Sequence, residues 1–266
     1  MSIDYICNMN KKALFHVILF ILIFSCDNIK DEKQVPFEKL SSEITGINFS
    51  NIITPDIETS ENLFDYDYFY NGSGVGIADI NNDGLKDVLF TANQENNRLF
   101  INKGNLTFED ITELSNINTK TKKWSSGVTF ADVNNDGWLD IYISQGGPFE
   151  SNSRKNLLLI NNQDLTFTEK AEKYGLDDTG ISTQSAFFDF DKDGDLDCVV
   201  MNENEFYGYD PISFFKKYEN KSVLMENSSH LYEQKDGKFI NITEKAGLLS
   251  PTFGLGLCIS DINNDN

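Results

Sequence analysis

The sequence predicts an all-β chain made of small antiparallel sheets in tandem, and three observations predict it. A nine-residue acidic turn recurs as Asp79-Ile-Asn-Asn-Asp-Gly-Leu-Lys-Asp87, Asp132-Val-Asn-Asn-Asp-Gly-Trp-Leu-Asp140 and Asp189-Phe-Asp-Lys-Asp-Gly-Asp-Leu-Asp197. It begins again at Asp261-Ile-Asn-Asn-Asp-Asn266. Short runs rich in β-branched and aromatic residues flank each copy, and two more such runs joined by a polar turn follow it.

Each complete turn reads D-x-[DN]-x-D-G-x-x-D. Oxygens at positions 1, 3 and 5 converge on one point if the loop curls around it. Glycine at position 6 permits the sharp turn that a Cβ obstructs. The carbonyl of position 7 and the carboxylate of position 9 can then close an oxygen shell. A cation that takes six to eight oxygens at about 2.3–2.6 Å is Ca²⁺, whereas Mg²⁺ demands a stricter octahedron and keeps its waters. The loops hold no His or Cys, Cys198 lying just past the third, which argues against zinc or copper. Plain Asn/Asp/Gly hairpin turns are the alternative, and three copies with acids at the same positions weigh against it. An EF-hand needs Glu at position 12 and helical flanks. Here position 12 is Phe90, Ile143 and Val200, within β-forming runs.

Residues 1–26 read as an export signal. Asn10-Lys-Lys12 is a positive n-region and Ala13 to Ser25 an apolar stretch too short to span a bilayer. Met9 is a plausible start. The stretch ends at Ile23-Phe-Ser-Cys26, which resembles a bacterial lipobox with Cys26 as the lipidated residue; an ordinary secretory signal with an incidental cysteine is the alternative. Residues 27–36 form a charged tether, in which Lys30-Asp-Glu32 is similar to the export tag of surface lipoproteins. Residues 37–266 are the repeat region.

Its elements follow in order. Phe37 to Asn51 resembles the fourth strand of a preceding unit and is expected to pair as one. Small-residue-rich first strands are expected at Gly74–Ala78, Gly127–Ala131, Ser185–Phe188 and Gly254–Ser260. Second strands follow each loop, at Val88–Thr91, Ile141–Ser144 and Cys198–Met201. Third strands fall at Asn97–Asn102, Asn156–Asn161 and His230–Glu233, and fourth strands at Leu106–Thr112, Leu165–Glu169 and Lys238–Thr243. Four short strands joined by hairpins describe one blade. The spacing varies only between the second and third strands. The longest such link, 202–229, carries Phe206, Tyr207, Tyr209, Phe214 and Phe215. A long loop on a rigid scaffold suits a ligand surface; pinning the insertion to its own blade is the other use for those rings.

The net charge of −20 repels polyanions and excludes nucleic acid as a partner of the bulk surface. Twelve per cent aromatic residues is too many for a disordered acidic chain. Cys198 and Cys258 occupy different places in the repeat, so two buried free thiols are expected rather than a bridge.

Gly-Val-x-x-x-Asp-x-Asn-x-Asp-Gly-x-x-Asp, then Asn-x-Leu-x-x-Asn and a Thr-Phe strand, resembles the FG-GAP/VCBS repeat, the blade of integrin-α-like β-propellers and many bacterial surface proteins. The resemblance covers about Phe37 to the end. It implies a partial β-propeller of four-stranded antiparallel blades, three complete and a fourth begun. It also implies three calcium sites. The first uses Asp79, Asn81, Asp83 and Asp87 with the Leu85 carbonyl. The second uses Asp132, Asn134, Asp136 and Asp140 with the Trp138 carbonyl. The third uses Asp189, Asp191, Asp193 and Asp197 with the Asp195 carbonyl. Asp261, Asn263 and Asp265 begin a weaker fourth, because Asn266 replaces the glycine. Since the last copy stops inside a loop, the chain is expected to be the N-terminal part of a longer protein, with an unpaired edge strand of its own.

The functional expectation is a non-enzymatic, calcium-stabilised binding or adhesion module of an outer-membrane, cell-surface lipoprotein that presents loops to a glycan or protein. The alternative is the propeller of a polysaccharide-degrading enzyme of lyase type. Such an enzyme needs a base, and the two histidines are His16, in the signal, and His230, at a strand start, where packing is the commoner role.

Overall fold

A computed structural model describes residues 37–118, 124–206 and 209–262. The chain divides into two units, residues 1–40 and 41–266. Among the described residues no helix is long and apolar enough to cross a membrane. The expected signal, tether, lipidation site Cys26 and Tyr207 lie outside the described residues, as do Asn263 and Asp265.

Among its described residues the second unit holds three four-stranded antiparallel meanders, consistent with part of a β-propeller. Sheet 1 is β1 (Val75–Ala78), β2 (Asp87–Phe90), β3 (Arg98–Asn102) and β4 (Phe108–Asp110); sheet 2 is β5 (Ser125–Ala131), β6 (Asp140–Gln145), β7 (Leu157–Asn161) and β8 (Phe167–Glu169). Sheet 3 is β9 (Ile181–Phe188), β10 (Asp197–Glu203), β11 (His230–Lys235) and β12 (Lys238–Asn241). Position 9 of each acidic turn opens the second strand, where Asp87 pairs with Ala78, Asp140 with Ala131 and Asp197 with Phe188.

Strand alternation explains how the sheets stack. In β6 and β7, Ile141, Ile143, Leu157 and Leu159 join Leu89, Leu99 and Ile101 in one apolar cluster. The intervening Tyr142, Leu158 and Ile160 join Cys198, Val200, Tyr232 and Phe239 in another. Sheet 2 is therefore covered on both faces, which is why β7 reads as an unbroken Leu-Leu-Leu-Ile run rather than an alternating one. First strands of neighbouring sheets approach closely at Gly127, where a Cβ would meet the Thr183 carbonyl at 2.5 Å. Hydroxyls tie neighbouring sheets together: Thr91 Oγ1, just past β2, donates to the Ser126 carbonyl (2.6 Å), Ser126 Oγ to that of Ser182 (2.6 Å) and Thr129 Oγ1 to that of Ser185 (2.8 Å).

Three expectations are corrected. Phe37 to Asn51 forms no strand; its regular structure is one helical turn, Ser42–Thr45. That turn matches the turns that follow β4 and β8, at Thr112–Ser115 and Ala171–Tyr174. Gly254–Ser260 is not a strand either. A ladder needs a partner, and this region makes isolated bridges, Phe253 to Glu203 and Pro251 to Ser228, plus a Thr183 hydroxyl bond to the Gly254 carbonyl. With no sheet to cover it, Cys258 is exposed rather than buried, whereas Cys198 is buried in β10 and free. The insertion contains two helices that strand patterning does not predict, α1 (Pro211–Lys217) and α2 (Lys221–Glu226). Asp210 caps α1 through the Ile212 and Ser213 amides, with Pro211 opening the helix.

Candidate functional site

The three complete turns sit at the same end of their sheets, between first and second strands. Each is wound by its own backbone. In the first, the Asp83 amide donates to Asp79 Oδ1 (3.1 Å), the Gly84 amide to Asp79 Oδ2 (2.8 Å) and the Leu85 amide to Asp83 Oδ1 (2.8 Å). The second repeats this with Asp136 to Asp132 (3.0 Å), Gly137 to Asp132 (2.8 Å) and Trp138 to Asp136 (2.9 Å). The third does so with Asp193 to Asp189 (3.2 Å), Gly194 to Asp189 (3.1 Å) and Asp195 to Asp193 (3.2 Å). The winding needs left-handed backbone at position 6, and Gly84, Gly137 and Gly194 adopt φ of 88°, 85° and 98°.

Position 9 has a structural task that ligand spacing does not reveal. Asp87, Asp140 and Asp197 are buried. One carboxylate oxygen accepts the position-2 amide: Ile80 (3.0 Å), Val133 (3.2 Å) and Phe190 (3.0 Å). The other accepts from the third strand: Asn102 (2.9 Å), Asn161 (2.8 Å) and Gln234 (2.9 Å). One side chain thus joins the turn to the sheet. Burial raises all three carboxyls, Asp140 to about 6, although these hydrogen bonds pull the other way. The third-strand donor is a backbone amide, so residue type there gives no signal of it; the Asn102 and Asn161 side chains add bonds to the Lys86 and Leu139 carbonyls at the end of the turn.

Position 3 divides the turns. Asn81 and Asn134 each donate Nδ2 to the position-5 carboxylate at 3.0 Å. Asp191 has no such proton to give. Among the described residues, Asp189, Asp191 and Asp197 form the one group of three acidic, His or Cys side chains whose ligand atoms all lie within 4.8 Å of one another. Beside it, the Asp195 carboxylate meets the side-chain amide of Gln234. Oxygen-only donors, several of them anionic, fit a hard cation and no soft metal. Asp261 is exposed.

The insertion aromatics contact one another. Phe206 lies against Tyr209 (5.7 Å between centroids) and Tyr218 (5.9 Å), and Phe214 against Phe215 (5.5 Å) and, stacked, Phe253 (6.2 Å). Lys217 Nζ sits 4.1 Å from the centre of the Phe206 ring. Tyr209 and Phe215 keep exposed faces.

His230 is built into the interior. Its Nδ1 lies 2.6 Å from Asp178 Oδ2, and its Nε2 2.8 Å from the Met225 carbonyl. Asp178 also accepts from the Tyr232 hydroxyl (2.8 Å) and the Gly180 amide (2.8 Å). Burial alone would raise the Asp178 carboxyl, but the His230 charge and these bonds leave it lowered. Burial alone would lower His230, yet Asp178 and the Met225 carbonyl leave it raised.

Residues 68–143, which hold the first two turns, match a family profile described as an FG-GAP-like repeat. The chain is also similar to cartilage acidic protein 1 of Xenopus tropicalis, 29% identical over 196 residues. That stretch is 73% of this chain and 28% of the relative, so the chain spans under a third of that protein's length.

Proposed function

We propose that this chain is a non-enzymatic, calcium-stabilised propeller module of a cell-surface lipoprotein, anchored through Cys26 and presenting loops to a glycan or protein ligand. The observation that carries the reading is one acidic turn, wound by the same amide bonds, at the same end of three sheets. Such repetition suits a structural cation, which screens carboxylates that otherwise repel across a few ångströms. Asp79, Asn81 and Asp83, and their counterparts in the other turns, are the side chains that would hold it. The match to an FG-GAP-like repeat supports a binding or adhesion role by analogy of fold. Histidine chemistry does not favour a lyase, because His230 is spent on Asp178 and a backbone carbonyl.

Differential scanning calorimetry with Ca²⁺, Mg²⁺ and EGTA tests the metal. Calcium at a hundredfold its Kd adds about 2.7 kcal/mol per occupied site, or several degrees of midpoint in a domain of this size. Mg²⁺ should reproduce little of it. A midpoint indifferent to EGTA refutes calcium stabilisation. Cys26→Ser should release the chain from the membrane fraction; retention there refutes the anchor.

A further inference from the structure

At the end of the sheets opposite the acidic turns lies a cavity of about 380 Å³, within the roughly 300–1,000 Å³ of small-molecule sites. Tyr68, Trp124, Ser126, Thr183, Gln184 and Glu203 line it. Two aromatic rings, two hydroxyls, an amide and a carboxylate line it, from the start of the second sheet, from the third sheet and from the segment before β1. The wall is fixed by packing: Trp124 is buried, with Tyr66 edge-on at 5.7 Å and Phe69 at 5.4 Å. Glu203, at the end of β10, is 1% exposed and also lines a second cavity of about 450 Å³. That neighbour carries Glu150, Glu205 and Glu226 against a single cation, Arg154. Arg154 already donates to the Phe149 (2.7 Å) and Thr179 (3.3 Å) carbonyls and lies 3.6 Å from Glu205.

We propose that the first cavity binds a neutral saccharide unit and rejects uronates, with Glu203 accepting sugar hydroxyls and Tyr68 flanking the ring. The chemistry favours a sugar because its hydroxyls both donate and accept: Glu203 and the Ser126 and Thr183 oxygens, whose own protons go to backbone carbonyls, can accept, and the Gln184 amide can donate. Its C–H faces suit amphipathic rings. Burial and the Glu203 charge both raise the Tyr68 hydroxyl, which therefore remains a neutral donor. A uronate would bring a second carboxylate beside Glu203 and the glutamates behind it, with no cation among the residues that line the cavity, and like charges at short range discriminate strongly. The proposal gives chemical identity to the ligand in the binding-module reading, and it rests on that reading.

The test is a glycan array followed by calorimetric titration of the calcium-loaded chain. The probes are neutral hexose oligosaccharides and hexuronate oligosaccharides. The wild type should bind the neutral set and not the uronates. Gln184→Ala and Tyr68→Ala, both at part-exposed positions, should each weaken neutral binding tenfold or more. Glu203→Gln should weaken it further and narrow the gap to uronates. If Glu203→Gln fails to fold by circular dichroism, the other two variants decide. Neutral binding untouched by them overturns the cavity assignment but leaves the module standing, and a preference for uronates overturns the charge argument. Failure to bind any glycan overturns the proposal while leaving the EGTA response to judge the calcium reading separately.

Discussion

The third sheet differs from the first two in how it places charge, at both of its ends. In its acidic turn, Asp191 and Asp195 replace Asn81 and Leu85 of the first turn and Asn134 and Trp138 of the second. At the start of its third strand, His230 stands in register with Arg98 and Leu157 and pairs with buried Asp178. The first two turns quench themselves, each asparagine donating to its neighbouring aspartate at 3.0 Å. The third cannot, and it holds three carboxylates within 4.8 Å. A repeat can thus keep one backbone path while its members differ in how much they need a counter-charge.

The largest expected effect separates backbone anchoring from metal binding. Asp140→Ala leaves the buried Val133 and Asn161 amides without their acceptor, at about 1–3 kcal/mol each. Asp197→Ala does the same to Phe190 and Gln234. In EGTA the two variants should therefore lose similar stability by urea titration, about 2–6 kcal/mol. In calcium the loss from Asp197→Ala should be the larger, because it also removes a ligand from the more anionic turn. Equal losses with and without calcium at both positions would show that position 9 anchors the turn and takes no part in holding metal.

The next effect probes the other end of the third sheet. His230 is raised, so its contribution is fully present below the unfolded value of about 6.5 and is lost as pH rises through the folded value. Asp178 is lowered, so its contribution is present above about 3.9 and is lost as pH falls through its folded value. The pair should therefore stabilise most between those limits. Charged hydrogen bonds of this kind are worth about 1.5–3 kcal/mol. Wild type should lose part of that on moving from mildly acidic to alkaline buffer, measured with calcium held constant, and His230→Gln should not. A variant with the same slope as wild type would place the pH response elsewhere.

Sheets and turns were legible because their signals are local. A nine-residue motif sets the hairpin, and alternation within β6 and β7 sets which side chains meet. The double coverage of sheet 2 can even be read from Leu157 to Ile160. What stayed hidden depends on distant residues. Asp178 and His230 are 52 positions apart, and no short pattern links them. The cavity draws Tyr68, Trp124, Thr183 and Glu203 from four separate segments. Helices α1 and α2 were missed although Asp210-Pro211 is a cap signal, because the aromatic content of 202–229 suggested a ligand loop. Strand patterning at Gly254–Ser260 failed for the opposite reason: the composition was right, and the ladder partner was lacking.

The smallest effect is the sharpest test of the comparison, because its sign should reverse. Asp191→Asn converts the third turn to the pattern of the first two. Without a cation, the substitution removes one of three crowded carboxylates and supplies an amide that can donate to Asp193, as Asn81 does to Asp83. Exposed like-charge relief of this kind is modest, about 0.2–0.5 kcal/mol, so the variant should melt slightly above wild type in EGTA. With calcium the order should invert, since fewer anionic ligands mean weaker binding and less stabilisation by mass action. Melting both proteins across a calcium series locates the crossing. Curves that run parallel, with the variant above throughout, would mean that Asp191 contributes repulsion and no ligation. The third turn would then differ from its neighbours in charge alone, with no difference in how it holds an ion.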